Sequence, residues 1–287
     1  MALLGRATAK RKVALIYGYN GHGYRGSAFG QLSDSVDACV LRALRSCGLI
    51  DARNWGEDTQ EPDPRVLSKV NWSSASRTDK GVHSLGNVAS LKVEVDRAVA
   101  SEPALLDAFL DAKCDEMNAA FQQQASTSTG GGVIRALGMV RQQKGFRART
   151  RCVGRSYTYM LPSSLLSRLD MDVFNRSCKL ISGGEEHCFH NFTGSQTPHS
   201  AIPLAGGTTM EYLSQPWRTP ASPPWSESLS AAEGLKKREL GVADSMYRRV
   251  TSLELDTDGA AAGSGRGELC QLHIAGDSFM YHMIRKI

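Results

Sequence analysis

Several things are scarce in this chain, and each scarcity closes off a class of protein. No apolar run approaches the ~20 residues that a membrane-crossing helix needs, and the start shows no apolar core of a secretory signal, so a soluble intracellular chain without membrane association is expected. The 7 cysteines, Cys39, Cys47, Cys114, Cys152, Cys178, Cys188 and Cys270, include no Cys-x-x-Cys pair. That pattern fits reduced thiols better than a disulfide framework or a zinc ribbon. His187, Cys188 and His190 lie close together, yet no second ligand group follows at zinc-site spacing, so no metal site is expected there.

The most telling absence is of negative charge. From Met117 to Leu169 there is no Asp or Glu, while Arg135, Arg141, Lys144, Arg147, Arg149, Arg151, Arg155 and Arg168 all fall inside. The net charge of the whole chain is only +5, so the asymmetry lies in the distribution. Interleaved with these cations are Phe146, Tyr157 and Tyr159. Cations neutralise phosphates and flat rings accept bases, so this segment suits a nucleic acid; the plainer alternative is a solvated basic face with core tyrosines.

What is present is a carboxylate in an unusual setting, in the run Ser76, Arg77, Thr78, Asp79, Lys80, Gly81, Val82, His83, Ser84. Opposite charges beside a carboxylate favour its charged form, which makes Asp79 a poor general acid and a plausible nucleophile. The same letters also spell an ordinary surface turn closed by glycine. The next residues separate the two readings: Val88, Ser90, Lys92 and Glu94 alternate with Ala89, Leu91, Val93 and Val95, so Asp79 is expected in a turn that enters a strand.

With 287 residues, 41% hydrophobic and 22% charged, the chain can bury one large core or two smaller ones. Strands are expected at Val13–Tyr19, Asn87–Val95, Val133–Val140, Arg155–Leu161, Met246–Asp256 and Glu268–Ile274. Helices are expected at Ser33–Leu49, capped by Ser33 or Asp34, at Pro103 to about Met117, and at Met171–Ile181 before Gly183 and Gly184. The Ser/Thr/Gly tract Ala125–Gly132 reads as a flexible connection, and the stretch from Gly194 to Gly241, with Lys236, Lys237 and Arg238, as a partly disordered insertion. This predicts an α+β protein with three parts: a short basic arm at 1–12, a domain at 13–143 carrying the Asp79 loop, and a domain at 144–287 with its insertion at 194–241.

Four separated segments then carry a family resemblance. Tyr19, Gly21, Tyr24 and Gly26 form a Tyr-x-Gly-x-x-Tyr-x-Gly opening, and Arg77 to Val82 form the loop. Phe146, Ala148, Arg149, Arg155, Tyr157 and Tyr159 follow, and then Gly276, Ser278, Phe279, Met280, His282, Ile284, Arg285 and Lys286 on what is expected to be a late strand. In this order they resemble the TruA family of tRNA pseudouridine synthases, in its eukaryotic multisite branch; His190 to Thr193 add a fifth segment similar to that branch.

The resemblance implies two ferredoxin-like halves with mainly antiparallel sheets flanking a basic RNA-binding cleft. It also implies isomerisation of uridine to pseudouridine in tRNA, with no metal or organic cofactor and no obligate protein partner. It gives Asp79 the role of nucleophile at ribose C1′, Tyr157 that of a ring packed on the base, and Arg285 that of the carboxylate's charged partner. Arg77, Lys80, His83, Arg149 and Arg155 are the implied substrate-binding residues. The uridine must leave its stack to expose C1′. The family runs on past this point with helices and a returning strand, so a C-terminal end truncated relative to the family is expected. A nuclear location is expected, with cytoplasm or mitochondrion as alternatives; the use of other structured RNAs stays open. The competing classes are a noncatalytic RNA-binding relative and a glycoside hydrolase, though the latter usually needs a second carboxylate, and none stands beside Asp79.

Overall fold

The computed structural model describes residues 8–29, 34–55, 61–127, 132–166, 168–189, 247–257, 269–280 and 283–286. The chain divides into two compact units, Met1–Cys152 and Val153–Ile287. The segment from Lys144 to Cys152 therefore belongs with the first unit, and the insertion at 194–241 lies outside the described residues. Among the described residues, no helix is long and apolar enough to cross a membrane.

The first unit runs β1 (Thr8–Tyr19), helix Val36–Ser46, β2 (Ser73–Ser74), β3 (Ser84–Asp96), helix Pro103–Thr127 and β4 (Ile134–Arg141), with short helical turns between. Its sheet has the order β2-β3-β1-β4 with every pairing antiparallel. This is the β-α-β-β-α-β arrangement of ferredoxin-like folds. The strand period of two sends Val13, Leu15, Tyr17 and Tyr19 of β1 and Ala89, Leu91, Val93 and Val95 of β3 into one core. Helix Val36–Ser46 adds Val36, Val40, Leu41 and Leu44 at helical spacing. Its cap is Ser35, whose hydroxyl accepts from the Ala38 N–H at 3.2 Å, rather than Ser33 or Asp34.

The strand β1 starts at Thr8, so part of the expected basic arm is sheet: Arg11 donates to the Ala100 carbonyl and Lys12 Nζ to that of Asn71. The second helix runs to Thr127, ten residues past the expected end at Met117. Leu106, Leu110, Cys114, Met117 and Phe121 recur on its buried face. Burying one further large apolar side chain, that of Phe121, contributes about 1.5–3 kcal/mol, enough to carry the helix through the polar run that follows.

The second unit contains β5 (Arg155–Pro162), helix Met171–Ile181, β6 (Glu186–Cys188), β7 (Tyr247–Asp256) and β8 (Leu269–Gly276). These strands form an antiparallel sheet in the order β5-β8-β7-β6. Asp170 caps the helix by accepting from the N–H groups of Asp172 and Val173. Its core comprises Cys178, Phe189, Val250, Leu253, Leu272, Ile274 and Met283. Two antiparallel sheets with helices make the chain an α+β protein. The segment expected as a late strand is not one: β8 stops at Gly276, and Arg285 sits on the helical turn Met283–Lys286. The Met283 N–H donates to the Met280 carbonyl and the Met283 side chain is fully buried, so the chain turns inward instead of extending the sheet.

Candidate active site

Asp79 opens a four-residue turn that leads into β3. Its carbonyl accepts from the Val82 N–H at 3.2 Å, and Gly81 stands at φ +79°, a left-handed position that favours glycine. Asp79 is half-buried, while Arg77, Lys80 and His83 on either side of it are exposed. The turn therefore presents one sheltered carboxylate among side chains that reach into solvent.

What fixes this turn is the opening segment after β1, more than fifty residues earlier. The Ser27 N–H donates to the Thr78 carbonyl at 3.0 Å, and the Thr78 N–H donates to Ser27 Oγ at 2.7 Å. The hydroxyls of Tyr19 and Thr78 share a hydrogen bond of 2.7 Å. Gly21 lies flat beneath the turn: a Cβ there would stand 2.1 Å from the Val82 carbonyl oxygen. Tyr24 donates through its hydroxyl to the Gly132 carbonyl, tying the same segment to the start of β4. The first two motifs of the sequence are thus one structure, in which the Tyr-x-Gly-x-x-Tyr-x-Gly run braces the Asp79 turn.

A second, more deeply buried set of contacts holds the loop where it leaves β2. Asn87, 4% exposed, donates through Nδ2 to the Ser76 carbonyl at 3.1 Å and to the Tyr17 hydroxyl at 3.3 Å, and its Oδ1 accepts from the Ser76 and Val88 N–H groups. Tyr17 in turn donates to Asp37 Oδ1 at 3.5 Å, and the Phe29 N–H donates to Asp37 Oδ2 at 3.2 Å. Burial pushes the Asp37 carboxyl up to about 6, against the opposing pull of the Phe29 N–H, neighbouring side-chain donors and the Arg77 charge. The Tyr17 phenol is driven well above its usual range, and that of Tyr19 upward, chiefly by burial.

Sequence reasoning singled out neither Asn87 nor Asp37. Asp37 had a visible signal, since it shares a helical face with Val40, Leu41 and Leu44. A carboxylate on an apolar stripe needs buried partners.

The remaining predicted residues are distributed between the units. Arg149 is exposed on the short helix Ala148–Arg151 of the first unit, whose Ala148 and Arg149 N–H groups donate to the Ser90 and Ser73 hydroxyls on β3 and β2. That attachment anchors Arg149 to the strand from which the Asp79 loop departs. In the second unit, Arg155 Nη1 donates to the Asp277 carbonyl at 2.7 Å. The Tyr157 ring meets that of Phe279 edge-on, with centroids 5.2 Å apart. Arg285 is exposed. The Arg155–Tyr159 part of the third motif therefore meets the start of the fourth around the β5–β8 pairing. Among the described residues, no three His, Cys, Asp or Glu side chains converge as a metal site.

The class defined by these features is an antiparallel α+β protein whose first unit displays a single braced aspartate ahead of a central strand. Comparison with known proteins shows what the chain resembles in sequence. No protein-family model matches the chain. The chain is 30% identical over 212 residues to a mouse pseudouridylate synthase 1 homolog, covering 67% of this chain and 42% of that protein. It is 33% identical over 154 residues to tRNA pseudouridine synthase 1 of Eremothecium gossypii (54% of this chain, 23% of that protein) and 32% identical over 161 residues to that of Schizosaccharomyces pombe (56% and 24%). The chain is thus similar in sequence to these synthases, and it spans less than half the length of these curated relatives.

Proposed function

We propose that this chain isomerises uridine to pseudouridine in tRNA, with Asp79 acting at ribose C1′. The observation that carries the reading is the brace itself: two sequence motifs far apart in the chain converge to hold one carboxylate in a fixed turn, flanked by exposed cations suited to a phosphate backbone. In the reaction, the bond from uracil N1 to C1′ breaks and a bond from C5 to C1′ forms, with the C5 proton lost and a proton taken up at N1, so that no atoms are lost overall. A carboxylate can attack C1′ or stabilise its developing positive charge, and it can assist the later proton removal.

Arg77, Lys80, His83 and Arg149 contribute phosphate contacts in this reading, and Arg77 is suited to entering the space a flipped uridine vacates. Tyr157 packs on the base and Arg285 pairs with the carboxylate; Arg155 holds the Asp277 turn near Tyr157. The resemblance to the TruA family supports these roles, as do the positions of the residues within their own units. The expected nuclear location belongs to the same proposal and is tested by imaging a tagged full chain.

Unmodified tRNA transcript incubated with the protein and mapped by carbodiimide chemistry provides the test. Pseudouridine should form and should vanish in Asp79→Ala, while tRNA binding persists. Binding without product in the unmutated protein would identify a noncatalytic RNA-binding relative; release of free uracil would identify a hydrolase.

A further inference from the structure

The core of the first unit takes one side of its sheet, through Val13, Leu15, Tyr17 and Tyr19 of β1, and the alternate residues Ala14, Ile16 and Gly18 face the other side. Two irregularities shape that outer side where β1 approaches the Asp79 turn. Tyr17 pairs with Asn87 and Tyr19 with Ser84, so Leu85 and Gly86 of β3 together stand opposite Gly18 alone. On the other flank Ile16 pairs with Gly138 and Tyr17 with Ala136, so Leu137 of β4 is an added residue. Bulges re-aim side chains and gather beside functional sites. Each of these turns a leucine out of the core: Leu85 is 98% exposed and Leu137 53%. Gly18 admits the first bulge, since a Cβ there would stand 3.0 Å from the Leu85 carbonyl oxygen and 3.1 Å from that of Ser84.

We propose that Leu85 and Leu137 form an apolar shelf that receives an unstacked nucleobase near the target uridine, so that the first unit favours RNA whose bases at that place can leave their stack. This inference rests on the reading of the chain as an enzyme acting on RNA, and it names the part of the RNA that this face takes.

One exposed leucine is ordinary on a protein surface. Two, each produced by a separate bulge and each on a strand flanking β1, make a built surface. Gly18, Gly86 and Gly138 keep the backbone between them low, and the half-buried Ile16 and Val88, paired across β1 and β3, continue the apolar area. Charge around the shelf selects its occupant. Arg135 pairs with Gly18, so it faces the same side, and it is exposed. Farther along that side Lys12 pairs with Lys92, and the Lys12 ammonium is brought down to about 8 by burial and by the charges of Lys92 and Arg147. Residues 8–33, 71–93 and 117–169 carry this surface and its surroundings, and the only Asp or Glu among them is Asp79. A nucleotide joins a flat base to an anionic backbone, so one ligand matches both the leucines and the cations. Leu85 lies six residues past Asp79, at most about 20 Å of chain, which keeps the shelf close to the reacting uridine.

Fluorescence anisotropy of the full chain with two labelled probes, a single-stranded oligouridylate and an RNA duplex of equal length, tests the shelf without turnover. Leu85→Ala should weaken oligouridylate binding about tenfold and leave the slope of affinity against salt unchanged, because no phosphate contact is lost. Duplex binding should stay within about twofold of the unmutated value, since stacked bases do not reach the shelf. Leu85→Phe should keep oligouridylate binding, because a flat ring stacks on a base. Leu137→Ala should act as Leu85→Ala does, whereas Leu105→Ala, an exposed leucine on the helix Pro103–Thr127, should change neither probe. An unmutated protein that does not bind oligouridylate, a Leu85→Ala affinity within about twofold of normal, or an equal loss on both probes would overturn the proposal. So would an unmutated protein that sediments as a dimer beside a monomeric Leu85→Ala, which would make the shelf a contact between copies of this chain. Loss of oligouridylate binding in Leu85→Ala together with no pseudouridine from the unmutated protein would sink the isomerase reading and leave the shelf standing. Pseudouridine formation with unchanged oligouridylate binding in Leu85→Ala would sink the shelf alone.

Discussion

Adding one methyl group at Gly21 should move the Asp79 turn. A Cβ at this position would lie 2.1 Å from the Val82 carbonyl oxygen, 2.6 Å from its carbon and 3.0 Å from the Gly81 carbon. All three are main-chain atoms, so no rotamer change relieves the contact, and separating Cβ from the oxygen even to 3.0 Å requires about 0.9 Å of movement. The movement falls on the turn, because the Gly21 side is held tightly: Tyr19 pairs with both Ser84 and Ile134, and the Asn20 N–H donates to the Val133 carbonyl at 2.8 Å. A displacement near 1 Å of a reacting group costs about 100-fold in rate, and forced overpacking costs about 1–3 kcal/mol in stability. Gly21→Ala should therefore lower single-turnover pseudouridine formation by about 100-fold, with tRNA binding changed far less because the exposed cations remain. Gly138→Ala, which meets nothing within 4 Å, is the control. A Gly21→Ala rate within about threefold of normal would show that the turn tolerates such movement and refute the reasoning.

Asp37→Asn should raise thermal stability at pH 7. A carboxyl moved from 3.8 to about 6 binds protons more tightly in the folded state, so its contribution to stability falls as pH rises between those values, by about 3 kcal/mol in all. The gain over the unmutated protein should be largest at pH 7 and gone below about pH 4 in melts at matched ionic strength; an equal gain at both would refute that origin. Asn87→Ala removes partners from the Ser76 carbonyl and N–H and should cost about 1–3 kcal/mol, measured by urea unfolding, together with most of the activity. Arg285→Ala should lose turnover with a much smaller loss of tRNA affinity, and an unchanged rate would remove Arg285 from the reaction.

The parts of the fold that were legible in advance are those governed by local pattern. Met171–Ile181 ran between the expected limits because its amphipathic period ends at Gly183 and Gly184, and the Asp79 turn followed from Gly81 and the alternation after Asn87. The end of the Pro103–Thr127 helix was missed because local polarity after Met117 says stop, whereas burial of Phe121 in the first unit's core says continue. The Tyr19–Gly26 segment was visible as a motif but not as a brace, since its hydrogen bond to Thr78 and its close approach to Val82 span more than fifty residues. Arg285 was legible as a residue but not as part of a helical turn, because burial of Met283 decides its backbone.

The Ser27–Thr78 clasp also bears on how the molecule opens. One main-chain bond and one hydroxyl bond, both 3.0 Å or shorter, join the segment after β1 to the loop before β3, much as a rung joins two strands. A loop held this way does not fray by itself; it separates only when the sheet under it comes apart. The amides of Ser27 and Thr78 should exchange with solvent as slowly as those of Leu15 or Leu91 in the centre of the sheet. On warming, the carboxylate's setting and the first unit's core should then be lost in one cooperative step.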